Sequence, residues 1–209
     1  AFEHVIHVPF CPQSKLSGIE KTDFLRAVWY RRHFTLDEKK TAGRVVLHFG
    51  AVDYEAYIYV NGTLCGTHRG GYVSFAVDIT RAVHTGDNIV TVLARDDERD
   101  RRIPSGKQSM KLRSSGCFYT RTIGIWQTVW LEFTPHTYIA DFTLLPDVTA
   151  GALTVQATLV GCADLTLTAA FAGKTMGEIT LPSASDTVTF TLPLAEKHLW
   201  EIGKGGLYD

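Results

Sequence analysis

The side chains best suited to chemistry in this sequence fall between Asp96 and Arg121. Asp96 and Glu98 stand two residues apart, a spacing that puts two carboxyl groups on one face of an extended strand. Such a pair serves acid–base catalysis only if one member is held protonated, which needs burial or a second negative charge close by. Here Arg99, Arg101 and Arg102 are interleaved with Asp97 and Asp100, so the run cancels its own charge. It is expected to be a solvated loop with both carboxylates ionised, and no catalytic residue is assigned. In the next stretch, Ile103 to Gln108, Lys107 and Gln108 carry donors for hydroxyl-bearing ligands, and Gly106 lets the backbone approach closely. A solvated loop tip is the competing reading. Arg121, two residues after Tyr119, offers a planar donor fork for a hydroxyl or carboxylate, against a plain salt bridge to the mixed-charge loop. Trp126 and Trp130 lie four apart, which on a strand gives one face with Thr128 between them. Aromatic planes stack on flat ligands, but core or interface packing is the commoner use.

Other chemistries find no support. His48, His68 and His136 have no metal-ligand spacing, and ordinary hydrogen-bonded histidines are expected. Cys11, Cys65, Cys117 and Cys162 form no close pair, so zinc through sulfur is not expected and free thiols are. No cofactor is called for. The 209 residues carry 21 basic and 22 acidic side chains, a net charge of −1, without the basic surplus that a nucleic-acid partner requires. No apolar run reaches the roughly 20 residues of a membrane-spanning helix. The start, Ala1-Phe2-Glu3-His4, has neither the basic head nor the apolar core of a signal peptide, which leaves the cytoplasm and the periplasm both open.

The elements that must position these residues read as short β runs. Arg26–Phe34, Arg44–Phe49, Tyr54–Val60, Thr63–Arg69, Val73–Ile79, Ile89–Arg95 and Gly124–Thr134 are rich in β-branched and aromatic residues. Asn61-Gly62 joins two of them as a two-residue hairpin, a better account of Asn61-Gly62-Thr63 than a glycosylation acceptor. Gly86-Asp87-Asn88 is expected to be a turn. The segment from Asp96 to Cys117 is polar, poor in β formers, and longer than a structureless connector usually is without a function. After Pro135 the aromatics thin out, and Tyr138–Leu145, Leu153–Leu159, Leu165–Ala172 and Thr187–Leu192 alternate apolar with small polar residues. Gly161, Gly173 and Pro182-Ser183 are expected to break them into the four or five strands of a smaller sandwich. Two all-β domains follow, 1–135 and 136–209, the second cut short.

Several local sequences then fall into a known order: Val8-Pro9-Phe10-Cys11-Pro12, Trp29-Tyr30-Arg31-Arg32, His48-Phe49-Gly50-Ala51-Val52-Asp53-Tyr54, Val60-Asn61-Gly62, His68-Arg69-Gly70-Gly71-Tyr72, Gly106-Lys107-Gln108, Tyr119-Thr120-Arg121 and Gly124-Ile125-Trp126-Gln127-Thr128-Val129-Trp130. The series resembles the N-terminal sugar-binding domain of glycoside hydrolase family 2, the β-galactosidase/β-glucuronidase family. The second segment is similar to that family's immunoglobulin-like domain. The resemblance implies a jelly-roll (galactose-binding-like) β-sandwich followed by a truncated immunoglobulin-like sandwich. It implies a parent enzyme of bacterial type that hydrolyses O-glycosidic bonds with retention, through two glutamates on a (β/α)8 barrel that this sequence does not contain. The chain alone is then inactive. Its role is to brace the barrel and lend a loop to the sugar pocket, with Lys107, Gln108, Tyr119 and Arg121 as candidate substrate-binding residues. The partner is a carbohydrate, reached through the missing catalytic domain, and self-association into a homo-oligomer is left open. The alternative is a free-standing carbohydrate-binding module.

Overall fold

A computed structural model describes residues 2–97 and 99–209. The chain divides into two compact units, Ala1–Thr134 and Pro135–Asp209.

The described residues of unit 1 form nine strands: β1 (Ala27–Leu36), β2 (Arg44–Phe49), β3 (Val52–Asp53), β4 (Glu55–Val60), β5 (Thr63–Arg69), β6 (Phe75–Asp78), β7 (Gly86–Arg95), β8 (Gly124–Ile125) and β9 (Val129–Thr134). They form an antiparallel four-stranded sheet in the order β1-β7-β4-β5, a three-stranded sheet β6-β2-β9, and a small β3-β8 pair. Strand alternation builds the core between the two larger sheets. Ala56, Ile58 and Val60 of β4 are fully buried while Glu55, Tyr57 and Tyr59 between them are not. They meet Val45, Leu47 and Phe49 of β2, in one cluster with Val77, Ile79, Val92 and Ala94. The result is the all-β sandwich expected from the sequence.

The Asn61-Gly62 turn forms as anticipated, with φ of 50° and 83° at its two positions. The Asn61 amide is also used: its Oδ1 accepts from the Ile89 N–H at 2.9 Å and its Nδ2 donates to Ala82 O at 2.9 Å. Two expectations need correction. Gly86-Asp87-Asn88 is the beginning of β7, paired with Leu36, Thr35 and Phe34. Asn88 is fully buried there, and its side chain closes the preceding loop by donating to His84 O (2.7 Å) and Gly86 O (3.0 Å), so a polar residue reads as a turn while serving inside a strand. The continuous run expected from Gly124 to Thr134 is interrupted between Ile125 and Val129, where the Gly50 N–H donates to Thr128 O at 2.9 Å. Trp126 therefore lies outside β9, and it does not share a strand face with Trp130.

Unit 2 is an antiparallel sheet β10-β11-β12 of Tyr138–Asp147, Ala152–Phe171 and Lys174–Pro193. Three strands are described where four or five were expected: the break anticipated at Gly173 forms the β11–β12 turn, but those at Gly161 and Pro182-Ser183 are absorbed within the strands. Pairing of β11 with β12 shifts between Thr158 and Cys162 and between Ala163 and Leu165, with Gly161 at φ 86° and Ser183 at φ 49°. Val155, Ala157, Leu159, Met176 and Leu192 form the buried side of this sheet. Among the described residues no helix is long and apolar enough to cross a membrane.

Candidate functional site

The candidate residues of unit 1 gather on the connector between β7 and β8, residues 96–123. Its described residues form isolated bridges, Gln108–Tyr119 and Ser115–Phe118, and no longer strand, so side chains share in holding it. Gln108 is the central one. Its Nε2 donates to Asp53 Oδ2 at 3.0 Å and its Oε1 accepts from the Thr122 N–H at 2.7 Å, tying the connector to the end of β3 and to the approach of β8. The backbone completes the fastening: Tyr119 N–H donates to Lys107 O (3.0 Å) and Ser109 N–H to Tyr119 O (2.7 Å). Ser109 is itself buried and donates to Arg113 O at 3.1 Å.

Arg121, expected to meet a ligand, is fully enclosed. Its guanidinium sits 3.8 Å over the Phe24 ring and donates to Lys111 O (2.6 Å), Leu112 O (3.3 Å) and Thr22 O. Among the described residues it pairs with no acid of the mixed-charge loop; its two terminal nitrogens donate to main-chain carbonyls, while its buried Nε has no hydrogen-bond partner. Gln108 is likewise buried. Of the four candidates, Lys107 and Tyr119 alone face outward, Tyr119 at 47% exposure.

These two stand beside Tyr72, which the sequence did not mark as functional. A methyl group added at Gly106 would lie 3.2 Å from the Tyr119 hydroxyl and 3.4 Å from the Tyr72 hydroxyl, so both phenols converge on the loop tip. Gly106 has φ 56° and admits this approach. Tyr72 meets Trp126 edge-on, with ring centroids 5.9 Å apart, and the Trp126 indole N–H donates to Gly71 O at 2.7 Å. Burial raises the Tyr72 pKa, opposed by its hydrogen bond with Gln108 and reinforced by Asp53. The signal that could have revealed this corner is Gly70-Gly71-Tyr72: a Cβ at Gly71 would run into the Asp53 carboxylate.

The reading of Asp96 as an ionised, solvated carboxylate is overturned. Asp96 is 7% exposed, and burial, with Asp53 as the next cause, pushes its pKa up to about 7. Two of the arginines expected to hold it ionised point elsewhere: Arg102 pairs with Asp100, and Arg99 lies 4.3 Å over Phe24. Glu98 lies outside the described residues. Asp53 is 3% exposed, so both described carboxylates of this corner are sealed from a ligand in solution. The corner offers an ammonium, two phenols and an aromatic edge, a set that donates hydrogen bonds to hydroxyls and packs on a ring face.

A family model described as the sugar binding domain of glycosyl hydrolases family 2 matches residues 18–135, more than half of the 209-residue chain. The chain belongs to glycoside hydrolase family 2. Among curated members, the β-galactosidase of Thermoanaerobacter pseudethanolicus is 30% identical over 157 residues, covering 74% of this chain and 19% of that protein. The β-glucuronidase of Rattus norvegicus is 31% identical over 146 residues, covering 62% of this chain and 22% of that one. This family 2 chain thus spans about a fifth of the length of those relatives. In three dimensions it is similar to the β-glucuronidase of Bifidobacterium dentium complexed with coumarin-3-O-glucuronide, with a TM-score of 0.73 over 96% of this chain and 38% of that one, at 21% identity. At that identity the likeness concerns the fold.

Proposed function

We propose that this chain is the non-catalytic N-terminal region of a retaining glycoside hydrolase of the β-galactosidase/β-glucuronidase type. It braces a (β/α)8 catalytic barrel and presents the tip of the β7–β8 connector to the barrel's sugar pocket. Lys107 and Tyr119 contact the carbohydrate, while Gln108 and Arg121 act as positioning residues that hold the tip in place.

The observation that carries this reading is the contrast within one connector. A buried layer of Gln108, Ser109 and Arg121 fixes a backbone that is paired through isolated bridges rather than a continuous ladder, and an outer layer of Lys107, Tyr119 and Tyr72 offers donors and ring faces. A loop serving only as a solvated link has no need of a fully buried arginine. Both curated relatives named above are glycosidases several times longer than this chain, which accords with chemistry performed by another part of the polypeptide. Retaining hydrolysis needs two carboxyl groups about 5–5.5 Å apart at the glycosidic bond, and Asp53 and Asp96 are too enclosed to supply them.

The test has two arms. The chain alone is incubated with nitrophenyl β-galactoside and β-glucuronide, and no turnover is expected. The same sequence joined to its downstream coding region is then assayed with Lys107→Ala and Tyr119→Phe, each expected to raise KM. Turnover by the chain alone, or unchanged kinetics in both variants, overturns the proposal. Sugar binding by the chain alone together with a downstream region lacking a barrel establishes the free-standing module instead.

A further inference from the structure

β1 and β9 are edge strands of the two larger sheets of unit 1. Where they approach each other the sheets enclose a cavity of about 470 Å³, lined among others by Phe34, Leu47, Val90, Val92, Val129 and Leu131. Small-molecule sites commonly occupy roughly 300–1,000 Å³ and are mostly apolar with a few placed polar groups.

One polar group is placed here by strand register. In β1 the residues that face the core alternate: Tyr30 and Leu36 are buried, and Phe34 packs against the core cluster. Arg32 falls in the same alternation, between Tyr30 and Phe34, and pairs across the ladder with Val90, itself a cavity residue. A guanidinium thus stands on the apolar side of the strand, where it lines the cavity and remains open to solvent. Among the described residues no acidic side chain lines the cavity. None of the ion pairs among the described residues involves Arg32. Its neighbour Arg31 also borders the cavity, but its guanidinium stacks 4.2 Å over the Phe2 ring.

We propose that this cavity binds an apolar monocarboxylate, its hydrocarbon body between the two sheets and its carboxylate on the Arg32 guanidinium. A planar guanidinium matches a carboxylate through two parallel hydrogen bonds, and the walls gain by shedding water onto a hydrocarbon. The site is separate from the Lys107–Tyr119 corner and does not depend on any role in glycoside hydrolysis. An inward-pointing charge also deters an edge strand from pairing with another chain. That duty requires a charge at position 32 and no ligand, which makes the two accounts separable.

The chain, isotopically labelled, is titrated with decanoate and with decanol at concentrations where neither self-associates, and amide shifts are followed. Decanoate is expected to produce saturable shifts centred on Val90, Val129 and Leu131, with an affinity about ten-fold above that of decanol. Arg32→Gln is expected to remove that ten-fold advantage while leaving the decanol affinity and the thermal midpoint unchanged, because Arg32 is exposed and has no ion pair among the described residues. The proposal is overturned if decanoate gives no saturable shifts, if its shifts map away from the cavity, or if decanoate and decanol bind equally well. It is also overturned if Arg32→Gln binds decanoate as wild type does.

Discussion

Replacing Arg121 by methionine removes the donors that hold the β7–β8 connector while keeping a side chain of comparable length in the enclosed space. Three carbonyls lose a partner: Lys111 O, Leu112 O and Thr22 O. An unsatisfied buried acceptor costs about 1–3 kcal/mol, and the loss of a charged donor lies at the upper end. Thr22, Lys111 and Leu112 are themselves exposed residues, so water can recover part of that cost. The guanidinium's position over Phe24 adds about 1 kcal/mol or more once desolvated. A net loss of roughly 3 kcal/mol is expected, a large fraction of the ~5–15 kcal/mol that stabilises a domain. The corresponding fall in Tm is on the order of 10 °C. Urea unfolding followed by tryptophan fluorescence measures it for the right unit, since Trp29, Trp126 and Trp130 belong to unit 1 and Trp200 in unit 2 is already 64% exposed. Arg121→Lys is expected to recover less than half, because one ammonium cannot reach carbonyls from Thr22 on one side and Lys111 on the other with the fork's geometry. A midpoint for Arg121→Met within about 0.5 kcal/mol of wild type would refute the reasoning and return Arg121 to the set of candidate ligand-binding residues.

Further outcomes follow from the same geometry. Asp96, with its pKa raised from 3.8 to about 7 in the folded state, binds a proton more tightly folded than unfolded. Its contribution is full below about pH 4 and lost as pH rises through 7, so Asp96→Asn is expected to stabilise unit 1 at pH 8 and flatten the stability profile between pH 4 and 7; an unchanged profile contradicts the assignment. Gly124 has φ 84° and its position leaves no room beside the Tyr30 hydroxyl, so Gly124→Ala is expected to cost about 2 kcal/mol or more by chemical denaturation. If the proposed function holds, Lys107→Ala in the chain joined to its downstream coding region is expected to raise KM by about five-fold with Tm unchanged, as fits loss of one exposed donor, and a fall in Tm would show that Lys107 is structural instead.

The fold was legible where local rules and the tertiary structure agree. Ala56, Ile58 and Val60 alternate with Glu55, Tyr57 and Tyr59, and that pattern alone sets which side of β4 meets the core. Asn61-Gly62 fixes the next reversal through two positive φ values. The misread elements are those where a long-range partner overrides a local cue. Asn88 looks like a turn residue until its amide is seen closing a loop from inside a strand. Gly161 and Ser183 look like strand ends, yet β11 and β12 run past them because two strands of 20 residues can absorb extra residues as bulges without losing their ladder.

The site was legible in its chemistry and obscure in its layering. Lys107, Gln108, Tyr119 and Arg121 all sit on one connector, as their spacing implies, but spacing says nothing about which of them turns inward. Arg121 is settled by Thr22, 99 residues away in sequence, and Gln108 by Asp53, 55 residues away. Asp96 follows the same logic: a charge run read locally balances itself, whereas in the fold its first member is buried and Arg102 and Arg99 turn to Asp100 and to Phe24. Buried polar residues need partners, and in a connector with isolated bridges in place of a ladder some of those partners come from distant parts of the chain. The residues most informative about how this corner works are therefore those whose neighbours in sequence reveal least about their surroundings. The exposed ones, Lys107 and Tyr119, are free to meet a ligand because the enclosed ones are not.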